Sequence, residues 1–190
     1  MINFYNERRK QLLDVEPNAG HIGLAELEKD FNVTVVTQNV DNLHERAGST
    51  HVIHLHGELT KVCSSRDPYN PHFVKELAPE EYEVKLGDKA GDGTQLRPFI
   101  VWFGESVPEI ETAIRYVEQA DIFVIIGTSL NVYPAAGLLN YVPRAAEVYL
   151  IDPKPVDTHV MRPIHVIQKG ASEGVKELKA LLAATQPPLL

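Results

Sequence analysis

The sequence predicts an α/β fold: a Rossmann-like parallel sheet with helices on both faces, plus a small irregular lobe inserted at residues 60–97. Three observations predict it. Strand-like and helix-like patterns alternate along most of the chain. The run "DIFVIIGTS" from Asp121 is continuously apolar, as expected of a strand covered on both faces of a parallel sheet. Between Lys61 and Leu96 the periodicity fails, with prolines at 68, 71 and 79 and the stretch "GDKAGDG".

Taken in order, the first segment reads as two helices broken at Pro17, with Leu12 and Leu13 apolar in one and Leu24 and Leu27 in the other. "NVTVVTQN", Asn32 to Asn39, is rich in β-branched residues and predicts a buried strand. "HVIHLHG" predicts another short strand, stopped by Gly57. "PFIVWFGE", Pro98 to Glu105, predicts a strand, and Ser106 with Glu109 forms a capping box for a helix carrying Ile110, Ile114 and Val117. "EVYLID" and "HVIQ" predict two more strands. The last helix is "SEGVKELKALLA", with Val175, Leu178, Leu181 and Leu182 at helical spacing, and the tail "TQPPLL" is expected to fray.

Composition narrows the function classes. A chain of 190 residues, 44% hydrophobic and 23% charged, fits one ordinary globular domain with a sizeable core. Its formal net charge of -8 argues against non-specific nucleic-acid binding, which needs a basic face. Cys63 is the only cysteine, which rules out an internal disulfide and any four-cysteine zinc site. No apolar run reaches the roughly 18 residues of a membrane helix, and no signal peptide is visible, so a cytoplasmic location is expected.

Several strand ends carry chemistry. Gln38, Asn39 and Asp41 follow a predicted buried strand, where α/β sheets bind ligands; an amide pair and a carboxylate suit ribose hydroxyls and a carboxamide. The same residues equally suit a turn and a helix cap. Gly127, Thr128 and Ser129 end a second strand, with close backbone approach and hydroxyls for a phosphate or ribose, or a simple turn. Asp152 ends a third, either as a ribose acceptor or as a turn cap before Pro153.

Three histidines stand in "STHVIHLHGEL": strand alternation puts His54 and His56 on one side and His51 on the other. A metal needs a third ligand, and none stands at a matching spacing. His56, beside Gly57 at the strand end, suits a general base facing a cleft, or a structural histidine. Cys63 lacks any nucleophile signature, and Trp102 and Phe103 read as core aromatics.

In this order "TQNVDNLHERAG", "HLHGEL", "VWFGE", "GTSLNVYPAAG" and "LIDPKP" resemble the sirtuins, NAD-dependent protein-lysine deacylases, and most closely their bacterial class III branch. The resemblance runs from about Val33 to the C-terminal helix. It implies NAD as co-substrate, acyl transfer from lysine to ADP-ribose with release of nicotinamide, and deacetylase or desuccinylase activity. It makes His56 the catalytic base that activates a ribose hydroxyl. It places Gln38, Asn39, Val40, Asp41, Gly127, Thr128, Ser129, Ile151, Asp152 and Ala171 in the NAD site. Val101, Phe103, Gly104 and Glu105 on one side, and Val132 and Tyr133 on the other, become the edges that hold an acyl-lysine peptide by strand addition.

Two departures from the family pattern set further expectations. The family's opening strand and Gly-Ala-Gly loop have no counterpart, so the sequence reads as N-terminally truncated. Impaired NAD turnover and sheet edges open to self-association are then expected, with a non-catalytic peptide-binding module as the alternative. The family's small lobe carries four zinc cysteines where this chain has Cys63, so no zinc is expected. Asp67, His72, Asp88 and Asp92 could in principle substitute, but their spacing matches no known pattern.

Overall fold

The computed structural model describes residues 1–128, 133–156 and 161–185. The chain forms helices α1 (Ile2–Leu13) and α2 (Ala19–Leu27), strand β1 (Val35–Thr37), helix α3 (Leu43–Arg46) and strands β2 (Val52–His54), β3 (Gly57–Ser64), β4 (Lys75–Glu76) and β5 (Leu96–Ile100). Helix α4 (Ile110–Val117), strands β6 (Ile122–Ile126), β7 (Glu147–Ile151) and β8 (His165–Ile167), and helix α5 (Ala171–Thr185) complete it. It divides into two compact units: Met1–Glu16, Val36–Leu43 and His54–Pro108 form the first, and Pro17–Val35, His44–Ile53 and Glu109–Leu190 the second.

The second unit holds the predicted parallel sheet, in the order β6-β7-β8. Val148, Tyr149, Leu150 and Ile151 of β7 are all buried, so the strand covered on both faces is the central one. β6, the more apolar run, has only Ile125 fully buried because it is an edge strand. Helix α5 lays Val175, Leu178 and Leu182 on Tyr149, Ile151 and Ile167, together with Leu27 of α2. Each such side chain contributes about 1.5–3 kcal/mol by leaving water. Glycines set the spacing of the two helices: a Cβ on Gly23 would lie 2.7 Å from Val175 Cγ1. α2 begins at a capping box, Asn18 Oδ1 accepting from the His21 N–H while His21 Nδ1 accepts from the Asn18 N–H.

The first unit is built on the antiparallel sheet β4-β3-β5. The stretch expected to be irregular is therefore anchored by strands at both ends. Val62, Cys63 and Ser64 are fully buried in it. Helix α1 is pinned on by polar groups rather than by a full apolar stripe. Asn6 exchanges two hydrogen bonds with the Val84 backbone, and Arg9 donates to the carbonyls of Tyr82 and Leu59. Leu12 is buried as expected, whereas Leu13 is exposed.

Three local expectations fail for physical reasons. Gly57 does not stop a strand but starts β3, in a left-handed conformation with φ +85° that brings its backbone against β5. A Cβ there would lie 2.1 Å from the Phe99 carbonyl oxygen, so only glycine fits. The Ser106 capping box does not form, and α4 starts at Ile110 with Glu109 as its cap residue. Val107 precedes Pro108, which disfavours the helical conformation that a Ser106 cap would need. The strand expected over Pro98–Glu105 ends at Ile100 and turns.

Candidate active site

In the first unit the polar loop after β1 is tied down by its own backbone. Thr37 Oγ1 accepts from the Asn39 N–H at 3.0 Å, and the Val40 carbonyl accepts from Leu59 N–H at 2.7 Å. Asp41 Oδ1 accepts from the Leu43 N–H, the turn-capping role seen as one alternative from sequence. Asn39 itself is exposed and Gln38 half-buried.

Two histidines reach this loop. His54 Nδ1 lies 3.2 Å from the Asn39 carbonyl oxygen, and His56 Nδ1 3.2 Å from that of Gln38. Strand alternation is not the cause, since β2 ends at His54 and Leu55–His56 form a turn. A carbonyl oxygen can only accept, so this bond puts a proton on His56 Nδ1, and in the neutral ring Nε2 is then the acceptor. The half-buried ring thus has the tautomer a general base requires. The His56 carbonyl accepts from Val101 N–H at 2.9 Å, fixing the residue to the segment that follows β5. His51 reverts to a structural role: Nδ1 pairs with Thr34 Oγ1 at 2.9 Å, and the ring stands edge-on to Tyr116.

That segment, Val101–Glu105, is a turn with Phe103 wholly exposed and Gly104 at φ +89°. Phe103 is therefore not a core residue. The Glu105 carboxylate is fully engaged. It receives Arg97 Nη1 at 2.7 Å and Nη2 at 2.9 Å, the Trp102 N–H at 2.9 Å and the Tyr69 hydroxyl at 3.4 Å. Arg97 holds its pKa down to about 2.

In the second unit, Gly127 follows β6 at φ +60°, exposed, its N–H donating to the Ile151 carbonyl at 2.9 Å. Among the described residues, leaving out its two chain neighbours, no heavy atom lies within 4 Å of where its Cβ would stand. Asp152 Oδ1 accepts from the Lys154 N–H at 2.8 Å, closing a turn while Oδ2 takes no part in it. Ile151 is completely buried, so its side chain belongs to the core and only its backbone can meet a ligand. Ala171 is half-buried at the first position of α5. Tyr133 is exposed, and Thr128 is half-buried. Ser129 and Val132 lie outside the described residues.

Comparison with known proteins now decides the family. The Sir2 family model matches residues 2–134. The chain belongs to the Sir2 family. It is 85% identical over 182 residues to an NAD-dependent protein deacylase of Bacteroides thetaiotaomicron, covering 96% of this chain and 78% of that protein. Its fold is similar to a solved Sir2 homologue–NAD complex, with a TM-score of 0.81, 35% identity, and coverage of 97% of this chain and 72% of that one. A Sir2–p53 peptide–NAD+ structure is similar at a TM-score of 0.75 and 27% identity, covering 92% and 74%.

This Sir2 chain does not have the side chains for the zinc that the family pattern implies. Cys63 is buried, donates to the Pro98 carbonyl, and is pushed by burial up to about 11, so it is a thiol and not the thiolate a metal needs. Asp92 is taken by Ser64 and Thr94, at 2.6 and 2.7 Å. Asp67 accepts from Asn70 Nδ2, and Asp88 from the Lys85 N–H. Among the described residues, no three His, Cys, Asp or Glu side chains between 60 and 97 bring ligand atoms close enough to share an ion. No described helix is long and apolar enough to cross a membrane.

Proposed function

We propose that this chain removes acyl groups from protein lysines with NAD as co-substrate. NAD supplies an electrophilic ribose carbon once nicotinamide leaves, so the protein needs no nucleophile of its own, in keeping with a Cys63 held as a buried thiol. The single observation that carries the reading is the His56 Nδ1 bond to the Gln38 carbonyl, which leaves Nε2 as proton acceptor within a Sir2 fold. His56 takes the proton of a ribose hydroxyl at Nε2 and gives it up to solvent, while the Gln38 carbonyl holds the ring in its tautomer.

In the first unit, Gln38, Asn39, Val40 and Asp41 serve the nicotinamide ribose. Asn39 is exposed for this, and Asp41 keeps one carboxylate oxygen beyond its turn. In the second, Gly127, Thr128, Ser129, Asp152, Ala171 and the Ile151 backbone serve ADP-ribose, supported by the exposed, left-handed Gly127 at the end of β6. In the first unit, Val101, Phe103 and Gly104 serve the acyl-lysine peptide, supported by the full exposure of Phe103 and by the peptide bound in a related Sir2 structure; in the second, Val132 and the exposed Tyr133 serve it. The cytoplasm is its working compartment, and the side of β6 that no described strand pairs with is where copies of the chain associate.

The test is incubation of the purified protein with an acyl-lysine peptide and NAD, with chromatography of nicotinamide and of acylated ADP-ribose. His56→Ala should lower turnover by about 100-fold or more, the usual weight of a general base, without lowering the melting temperature. Undiminished turnover in that variant would remove His56 from the mechanism.

A further inference from the structure

The segment Val101–Glu105 has almost no strand hydrogen bonding of its own, yet it carries a fully exposed phenylalanine at its tip. Beyond the Val101 N–H bond to His56, its shape rests on one backbone bond, Glu105 N–H to Trp102 carbonyl at 3.0 Å, and on side chains. Arg97 supplies those side-chain contacts from within β5. Its guanidinium is buried and grips both Glu105 oxygens, donates to the Ile100 carbonyl at 2.7 Å, and lies 3.6 Å from the centre of the Trp102 ring. Glu105 in turn receives the Trp102 N–H and the Tyr69 hydroxyl.

We propose that Arg97 is a positioning residue for peptide binding: acting through Glu105 and Trp102, it holds the Val101–Glu105 turn in the shape that meets the acyl-lysine peptide. This rests on the reading of that turn as a substrate edge. It also reassigns Glu105, whose carboxylate is spent inside the protein rather than on substrate. A planar fork is required, because only a guanidinium bridges both carboxylate oxygens while stacking on an indole. Lysine would keep the charge and lose both geometries.

Trp102 is the only tryptophan in the chain, so its emission reports this turn directly. Arg97→Lys and the milder Glu105→Gln are compared with the unaltered protein by emission spectrum, melting temperature, and kcat and KM for an acyl-lysine peptide and for NAD. Phe103→Ala serves as an independent probe of the substrate edge. Expected are a shifted Trp102 emission and a peptide KM raised about tenfold, with kcat and the NAD KM within about twofold, the pattern of lost binding rather than lost chemistry. Should Arg97→Lys fail to fold, Glu105→Gln gives the same readouts. A raised peptide KM in Phe103→Ala but not in Arg97→Lys or Glu105→Gln overturns the role of Arg97. Peptide KM unchanged in all three variants overturns the substrate edge itself, and with it this inference.

Discussion

Gly57→Ala isolates the close backbone contact beside His56. Residue 57 sits at φ +85°, and an added Cβ would stand 2.1 Å from Phe99 O, 2.9 Å from Phe99 C and 3.0 Å from Ile100 Cα. These are backbone atoms of β5, so no side-chain rotation relieves the clash. A non-glycine residue in this region costs about 1–3 kcal/mol, and forcing extra volume into packed structure costs about 1–3 more. The sum, about 2–6 kcal/mol, is a large share of the stability of a typical domain. Gly93→Ala is the control: it has φ +77° but nothing within 4 Å of its Cβ, so it carries the conformational cost alone. Both glycines and Trp102 lie in the first unit, so urea unfolding followed by tryptophan emission compares them directly. With a slope of about 2 kcal/mol/M, Gly57→Ala should lower the midpoint by about 1–3 M, and Gly93→Ala by about 0.5–1.5 M. A Gly57→Ala midpoint no lower than that of Gly93→Ala would refute the steric reasoning.

Further outcomes follow from the same unit. Asp92 is held at about 2 by Ser64 and Thr94, and Glu105 at about 2 by Arg97, against ordinary values of 3.8 and 4.5. Their folded pKa values are depressed, so the stability they lend is full above the ordinary values and fades as pH falls toward 2. Urea midpoints should drop over that window, and less so in Asp92→Asn and Glu105→Gln; parallel curves would count against both networks. At pH 8 about one Cys63 in a thousand is thiolate by its raised pKa, so a thiol reagent should label it only after unfolding. Fast labelling of the native protein contradicts the buried thiol. Elemental analysis should find no stoichiometric zinc, and a chelator should leave the melting temperature unchanged; one zinc per chain would overturn the reading of residues 60–97.

Much of the fold was legible because apolar periodicity reports burial. The helix break at Pro17, the parallel strands β6, β7 and β8 and the last helix all appear where their patterns place them. What escaped was set by tertiary contact. Nothing local distinguishes β7, buried on both faces, from the more apolar β6 at the sheet edge. Gly57 looks like a strand stop until β5 is beside it. At the site, spacing left His56 open between base and structural histidine and only the family resemblance singled it out; its contact with the Gln38 carbonyl has no side-chain signature. Arg97 was missed altogether, since its partner Glu105 stood out as a motif residue and not as the partner of a buried guanidinium.

The most direct test of the account counts products. The purified chain is incubated with an acyl-lysine peptide and NAD, and free lysine peptide and nicotinamide are quantified together, whatever the rate. Expected are one nicotinamide released for each acyl group removed, no acyl removal without NAD, and acyl removal slowed about 100-fold or more with His56→Ala. Acyl removal in the absence of NAD, or peptide binding with no nicotinamide released, would contradict it.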